Sequence, residues 1–101
     1  MNWRSRKLLD HLHDAPCCFV CRCHGDGTNI VPAHSNQLRD GKGKGIKAHD
    51  YRVAAVCNKC HMEIDQGKNW TLEEKRRAWE EAHRDTMAWL IEDGRLIVKG
   101  N

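Results

Sequence analysis

The strongest constraint on this 101-residue chain is a pair of short cysteine motifs, Cys18–Cys21 and Cys57–Cys60. Each is a C-x-x-C unit. Structural zinc sites take four ligands in a tetrahedron, and two such units supply two thiolates each. A redox C-x-x-C acts singly and lies beside a βαβ unit, a context that neither motif has. The spacing therefore predicts one structural zinc site, held by Cys18, Cys21, Cys57 and Cys60.

Two further cysteines, Cys17 and Cys23, flank the first motif and leave its ligands open. Pairing Cys17 with Cys21, or Cys18 with Cys23, would also give workable spacings. We favour Cys18 with Cys21, which leaves Cys17 and Cys23 as thiols outside the site.

The composition indicates that a bound metal stabilises this small fold. Mean hydropathy is −0.77, so a core from this chain is modest and needs reinforcement. The first residues lack the apolar stretch of a signal peptide, and no run is long enough to span a membrane. We therefore expect a protein of the reducing cytoplasm, where paired cysteines indicate metal binding. The net charge of +3 is too small to indicate nucleic acid by itself.

Hydrophobic periodicity predicts a small zinc-stabilised α+β chain forming a single domain. The capping box Thr71-Leu72-Glu73-Glu74 marks the start of the clearest helix, and Gly94 marks its end. The predicted elements are a helix over about 5–13, strands over 29–34 and 51–56, a helix from His61 to Gly67, a helix over about 72–92 and a short strand over 96–98.

Two histidines are candidates for chemistry. His61 and Asp65 lie four residues apart on a predicted helix, so both could hold one divalent ion. His34 ends the first strand near Asn36 and could serve as a general base, since imidazole exchanges protons near neutral pH. The role of His49-Asp50 stays open. The remaining histidines are assigned to surface or packing: His11, His13, His24 and His83.

A loop over 37–47 alternates glycine with cations. Glycines let a backbone approach phosphate closely, and cations supply the charge. A flexible, solvated loop is an equally weighted alternative, and no Walker A motif is present. The candidate phosphate contacts are Arg39, Lys42, Lys44 and Lys47.

The order of these motifs resembles the HNH (ββα-metal) endonucleases whose scaffold carries a four-cysteine zinc site. It is more closely similar to the YbcO-type prophage nuclease family over about residues 17–67. The similar positions are Ala33-His34-Ser35-Asn36, the glycine-lysine run over 41–45, Asp50, the second cysteine motif, His61 and Ile64-Asp65.

The resemblance implies a ββα-metal core and a mechanism. His34 would deprotonate water, while His61 and Asp65 would hold a catalytic Mg²⁺ or Mn²⁺. Family members often carry Asp or His before the base, where this chain has Ala33. The family's orienting Asn would fall near Arg52, so that role passes to Asp50 or Asn36.

The sequence thus predicts a metal-dependent DNA endonuclease or nickase of phage or prophage origin. Its expected partners are DNA and phage recombination or packaging proteins, with no membrane. An alternative is a non-catalytic zinc-knuckle module that binds DNA or protein. A third is a structural domain that binds partners through a Trp79/Trp89 helix face.

Overall fold

The computed structural model describes residues 2–100 as a small α+β fold with three helices and a two-stranded antiparallel sheet. Within those residues, no helix combines the length and apolar character needed to cross a membrane. A single 3₁₀ turn, Leu38–Asp40, lies between the strands. The elements are α1 (Arg6–Leu12), β1 (Ile30–His34), β2 (Val53–Cys57), α2 (Asn58–Gln66) and α3 (Leu72–Glu92).

The sheet accommodates a proline in the middle of β1. Pro32 lies opposite Ala55 in the register. The amide and carbonyl of Ala55 bond instead to Thr86 Oγ1 (2.9 Å) and to the Phe19 amide (3.0 Å). This pair therefore makes no bonds between the strands, so the missing N–H of Pro32 removes nothing from the ladder.

Helix α3 covers the sheet. It begins with both bonds of the capping box between Thr71 and Glu74. Trp79 is only 4% exposed, and its Nε1–H donates to the Ala33 carbonyl at 2.9 Å. The His83 ring stacks on Trp79 and its Nδ1 lies 2.7 Å from the Val53 carbonyl. Since that acceptor is a carbonyl, Nδ1 carries the proton.

The predicted Trp79/Trp89 partner face is therefore wrong. Trp79 belongs to the core, and half-buried Trp89 packs beside Phe19 with a ring separation of 6.5 Å. Arg95 lies over the outer part of the Trp89 ring. Both indoles therefore pack within the fold and form no exposed partner face.

Helix α2 begins at Asn58, three residues before the predicted start. Cys57 is its N-cap, and the Cys57 thiol accepts the Cys60 amide at 3.5 Å. The helix thus starts inside the second cysteine motif, because the thiolate side chain does the capping that Ser or Asp does elsewhere.

The predicted strand over 96–98 is absent from the described residues. Gly94 has φ +75°, and Arg95 donates its amide to the Leu90 carbonyl at 2.8 Å, which completes a Schellman ending for α3. Leu96 then packs against the core, while Ile97 and Val98 are exposed. Among residues 2–100, no strand lies alongside this segment to pair with it.

Candidate functional site

Four cysteines converge at the junction of the first cysteine motif, β2 and α2. The Sγ atoms of Cys18, Cys21, Cys57 and Cys60 all lie within 4.8 Å of one another. The Cys21 and Cys57 sulfurs are 3.8 Å apart. A Zn–S bond of about 2.3 Å in a regular tetrahedron gives an S···S edge of about 3.8 Å. The donor set therefore fits a structural zinc ion.

The backbone around the first motif is shaped for thiolates. The Val20 and Cys21 amides both point at Cys18 Sγ, at 3.4 Å each. Arg22 adopts φ +67°, a left-handed conformation that closes the turn. The Cys23 amide hydrogen bond lowers the pKa of the Cys21 thiol to about 7, despite the opposing effect of burial. These bonds stabilise the negative charge that metal ligation requires.

The flanking cysteines are not members of the four-sulfur group. Cys17 pairs its backbone with His24 in an isolated bridge, and the Cys23 thiol lies at the edge of the group, beside the thiols of Cys21 and Cys57. Of the pairings that the sequence left open, the structure brings Cys18 together with Cys21.

A second centre lies at the C-terminal end of β1, around a cavity of about 300 Å³. It is lined by residues of β1, the glycine-lysine loop and α2, and the apolar side chains of Leu9 and Pro32 also line it. The polar side chains that line it are His34, Ser35, Asn36, Lys42, Lys47, His61 and Asp65.

His34 forms a short pair with Asp50. Its Nε2 lies 2.8 Å from Asp50 Oδ1, and only 14% of the His34 side chain is exposed. Burial raises the pKa of Asp50, but the His34 bond, the Ser5 amide and the Arg4 charge together bring it below its ordinary value. An ionised Asp50 can only accept, so His34 donates to it through Nε2–H.

The N-terminal segment holds Asp50 in place. Arg4 Nη1 donates to Asp50 Oδ1 at 3.1 Å, and the Ser5 amide donates to Oδ2 at 2.7 Å. Arg4 also donates to the Ala48 and Lys47 carbonyls. Sequence reasoning missed Arg4 and Ser5, because contacts across more than 40 residues leave no spacing signal. Their position at the start of the predicted first helix was the one sequence feature that indicated an ordered backbone there.

The second histidine pairs with its helical neighbour. His61 Nε2 and Asp65 Oδ2 are 3.0 Å apart, one turn along α2. The Asp65 bond raises the pKa of His61, and the same bond lowers the pKa of Asp65. Asn36 donates its side-chain amide to Asp65 Oδ1 at 2.9 Å. Of the two residues proposed to orient His34, Asp50 contacts it and Asn36 is directed to Asp65.

The four cations of the loop divide into two groups. Lys42 and Lys47 line the cavity, where the charge of Lys47 acts on His61 and the charge of Lys42 acts on Asp65. Lys44 is exposed at the tip of a tight turn closed by Gly43 and Ile46. Arg39 instead pairs with Glu80 on α3. The structure therefore places two of the four predicted phosphate contacts at the cavity.

Comparison with known proteins gives one structural likeness. No protein-family model matches the chain, and no curated protein matches it in sequence. A solved structure from Escherichia coli K-12 substrain MG1655, described as a "putative bacteriophage protein", superposes with a TM-score of 0.59. The match covers 86% of this chain and 99% of that one at 19% identity. At that identity the likeness shows a shared fold.

Proposed function

We propose that the chain is a metal-dependent DNA endonuclease or nickase of the HNH (ββα-metal) type. The observation that carries the proposal is the cavity itself. One wall holds an imidazole polarised by a buried carboxylate, and another holds a His–Asp pair on a helix. Two lysines complete its rim. A base, a divalent-ion site and phosphate-binding charge are what phosphodiester hydrolysis needs.

His34 is the proposed general base. Asp50 accepts its Nε2–H at 2.8 Å, which fixes the ring and leaves the Nδ1 lone pair to take a proton from water. The resulting imidazolium is stabilised by the same ionised carboxylate. Arg4 and the Ser5 amide keep Asp50 charged throughout.

His61 and Asp65 are the proposed ligands of a catalytic Mg²⁺ or Mn²⁺. One imidazole nitrogen and one carboxylate suit such an ion, which usually keeps several waters and adds substrate phosphate oxygens. When bound, the ion supplies charge to the scissile phosphate and to the departing 3′ oxygen. Asn36 holds the Asp65 carboxylate through its other oxygen. Lys42 and Lys47 would neutralise flanking phosphates.

A phage or prophage origin is part of the proposal. The similar Escherichia coli structure is described as a bacteriophage protein. The motif order over residues 17–67 points the same way. Expected partners are DNA and phage recombination or packaging proteins.

The test is nicking of supercoiled plasmid by natively purified protein. Mg²⁺ or Mn²⁺ should support conversion to the relaxed form, and EDTA should stop it. Excess Mg²⁺, but not Zn²⁺, should restore it. His34→Ala protein purified in parallel excludes a contaminating nuclease. Absence of cleavage on single-stranded, duplex and branched DNA would overturn the proposal.

A second function, a non-catalytic DNA-binding module, is favoured by one observation. In the part of the chain that the structure describes, only the cysteines form a group of three or more metal-binding side chains. A binding module needs just that closed site and the basic loop. Tight DNA binding without cleavage under any divalent ion would select it.

A further inference from the structure

An aromatic cluster lies on the outer side of the segment that carries Asp50. The Tyr51 ring stacks on His49 with centroids 4.8 Å apart and planes within 7°. Trp3 leans against Tyr51 at 5.7 Å. Trp3 is 50% exposed and Tyr51 is 37% exposed. Neither ring belongs to the hydrophobic core, so both present aromatic surface to solvent.

The backbone beneath Trp3 is fixed on both sides. The Trp3 amide donates to His49 Nδ1 at 3.0 Å, and the Trp3 carbonyl accepts the Asp50 amide at 3.0 Å. Asn2 binds the Gly41 and Lys47 carbonyls. The indole is therefore presented from an ordered segment, so a ligand stacking on it would meet a small entropic cost.

Tyr51 and His49 pack beside Trp3 and support its ring. The His49 ring lies against Gly41, where a Cβ would come within 2.8 Å of it. The Arg52 guanidinium lies 5.1 Å from the Tyr51 ring centroid, so this ring is engaged by its neighbours. That leaves Trp3 as the member of the cluster with a large accessible surface.

The surroundings are cationic. Residues 39–52 contain five cations and two carboxylates, and both carboxylates, Asp40 and Asp50, are buried. Lys47 connects the cavity with the N-terminal segment that carries Trp3. It lines the cavity, and its carbonyl accepts hydrogen bonds from Arg4 and Asn2. An accessible indole beside phosphate-binding charge matches the stacking platforms of single-strand-binding proteins.

We propose that Trp3 stacks on an unpaired base of single-stranded DNA whose backbone runs past Lys47 into the cavity. The occupant is an unpaired base because, within a duplex, the stacked neighbouring bases cover both faces of each base. This inference rests on the proposed function and adds a substrate class, DNA with a single-stranded segment next to the cut.

Binding without added divalent ion tests it separately from cleavage. Anisotropy of a labelled oligo-dT should give a dissociation constant that Trp3→Ala raises by about 5- to 150-fold, the range for loss of one stacked base. Trp3→Phe should retain most of the affinity. Ile91→Ala, which removes a comparably exposed apolar side chain from α3, should change the affinity less than twofold.

Intrinsic fluorescence gives a second readout. Oligo-dT should quench the wild-type signal, and Trp3→Phe should lose that quenching while it still binds. Equal weakening of single-stranded and duplex binding by Trp3→Ala would overturn the inference. So would a preference of more than tenfold for RNA of matching sequence. Trp3-dependent binding with no cleavage would sink the nuclease proposal and leave this inference standing.

Discussion

The four-cysteine cluster and the histidine cavity both use α2, yet they are built in opposite ways. The cluster takes its ligands from two motifs, and three of its four cysteines are buried. The cavity draws on the N-terminal segment, β1, the loop and α2, and it opens to solvent. A closed tetrahedron has no position left for substrate, whereas an open His–Asp pair has several. The first centre therefore suits a structural ion, and the second is the one on which the proposed function depends.

The largest expected effect is loss of the cluster. Cys57→Ser should abolish zinc binding and unfold the chain, because structural zinc supplies on the order of 10 kcal/mol in small domains. Elemental analysis and circular dichroism measure both effects. Cys23→Ser is the matched control and should keep one zinc per chain. Natively purified, folded protein that contains no zinc would contradict the structural role.

Next in size is the general base. His34→Ala should reduce plasmid nicking by about 10²- to 10⁴-fold while it leaves zinc content, circular dichroism and DNA affinity unchanged. His24→Ala, which removes an exposed histidine, should nick at the wild-type rate. If His34→Ala nicks as fast as wild type, His34 is not the base, even in an active nuclease.

Asp50 should affect stability and rate together, since it joins the N-terminal segment to His34. Asp50→Asn should lower the free energy of unfolding at pH 7 by about 2 kcal/mol, the scale of a charged hydrogen bond, and slow nicking. The pKa of Asp50 is lowered in the folded state, so its contribution exists above its unfolded pKa. Acidification through the folded pKa should therefore narrow the stability gap between wild type and variant. If the difference in free energy of unfolding between wild type and Asp50→Asn stays constant with pH, the charge of Asp50 contributes nothing to stability.

The smallest effect concerns the loop. Lys42→Ala and Lys47→Ala should each reduce the slope of log K against log salt by about 0.9, whatever the DNA sequence. Lys44→Ala is the matched control, because Lys44 lies at the turn tip and does not line the cavity. If all three variants keep the wild-type slope, these lysines contact no phosphate and the loop is merely solvated.

The sequence predicted best what depends on neighbours along the chain. The capping box at Thr71 forms as its spacing indicates, and the cysteines meet as two C-x-x-C units should. The 96–98 segment failed because strand propensity needs a partner strand. The role of Arg4 could not be predicted, because its side chain acts by binding the Asp50 carboxylate, which is 46 positions away in the sequence.

The bonds that tie α3 and the first cysteine motif to β2 have a consequence for self-association. Strand β2 is short, apolar and buried throughout, a composition prone to recruiting further strands. Thr86 and Phe19 occupy both polar groups of Ala55, and His83 occupies the Val53 carbonyl. On the outer side of β1, Pro32 offers no donor, and His13 bonds to the Ile30 carbonyl. Three side chains and the Phe19 backbone amide thus occupy outward-facing polar groups of this two-stranded sheet, and they protect it from edge-to-edge aggregation.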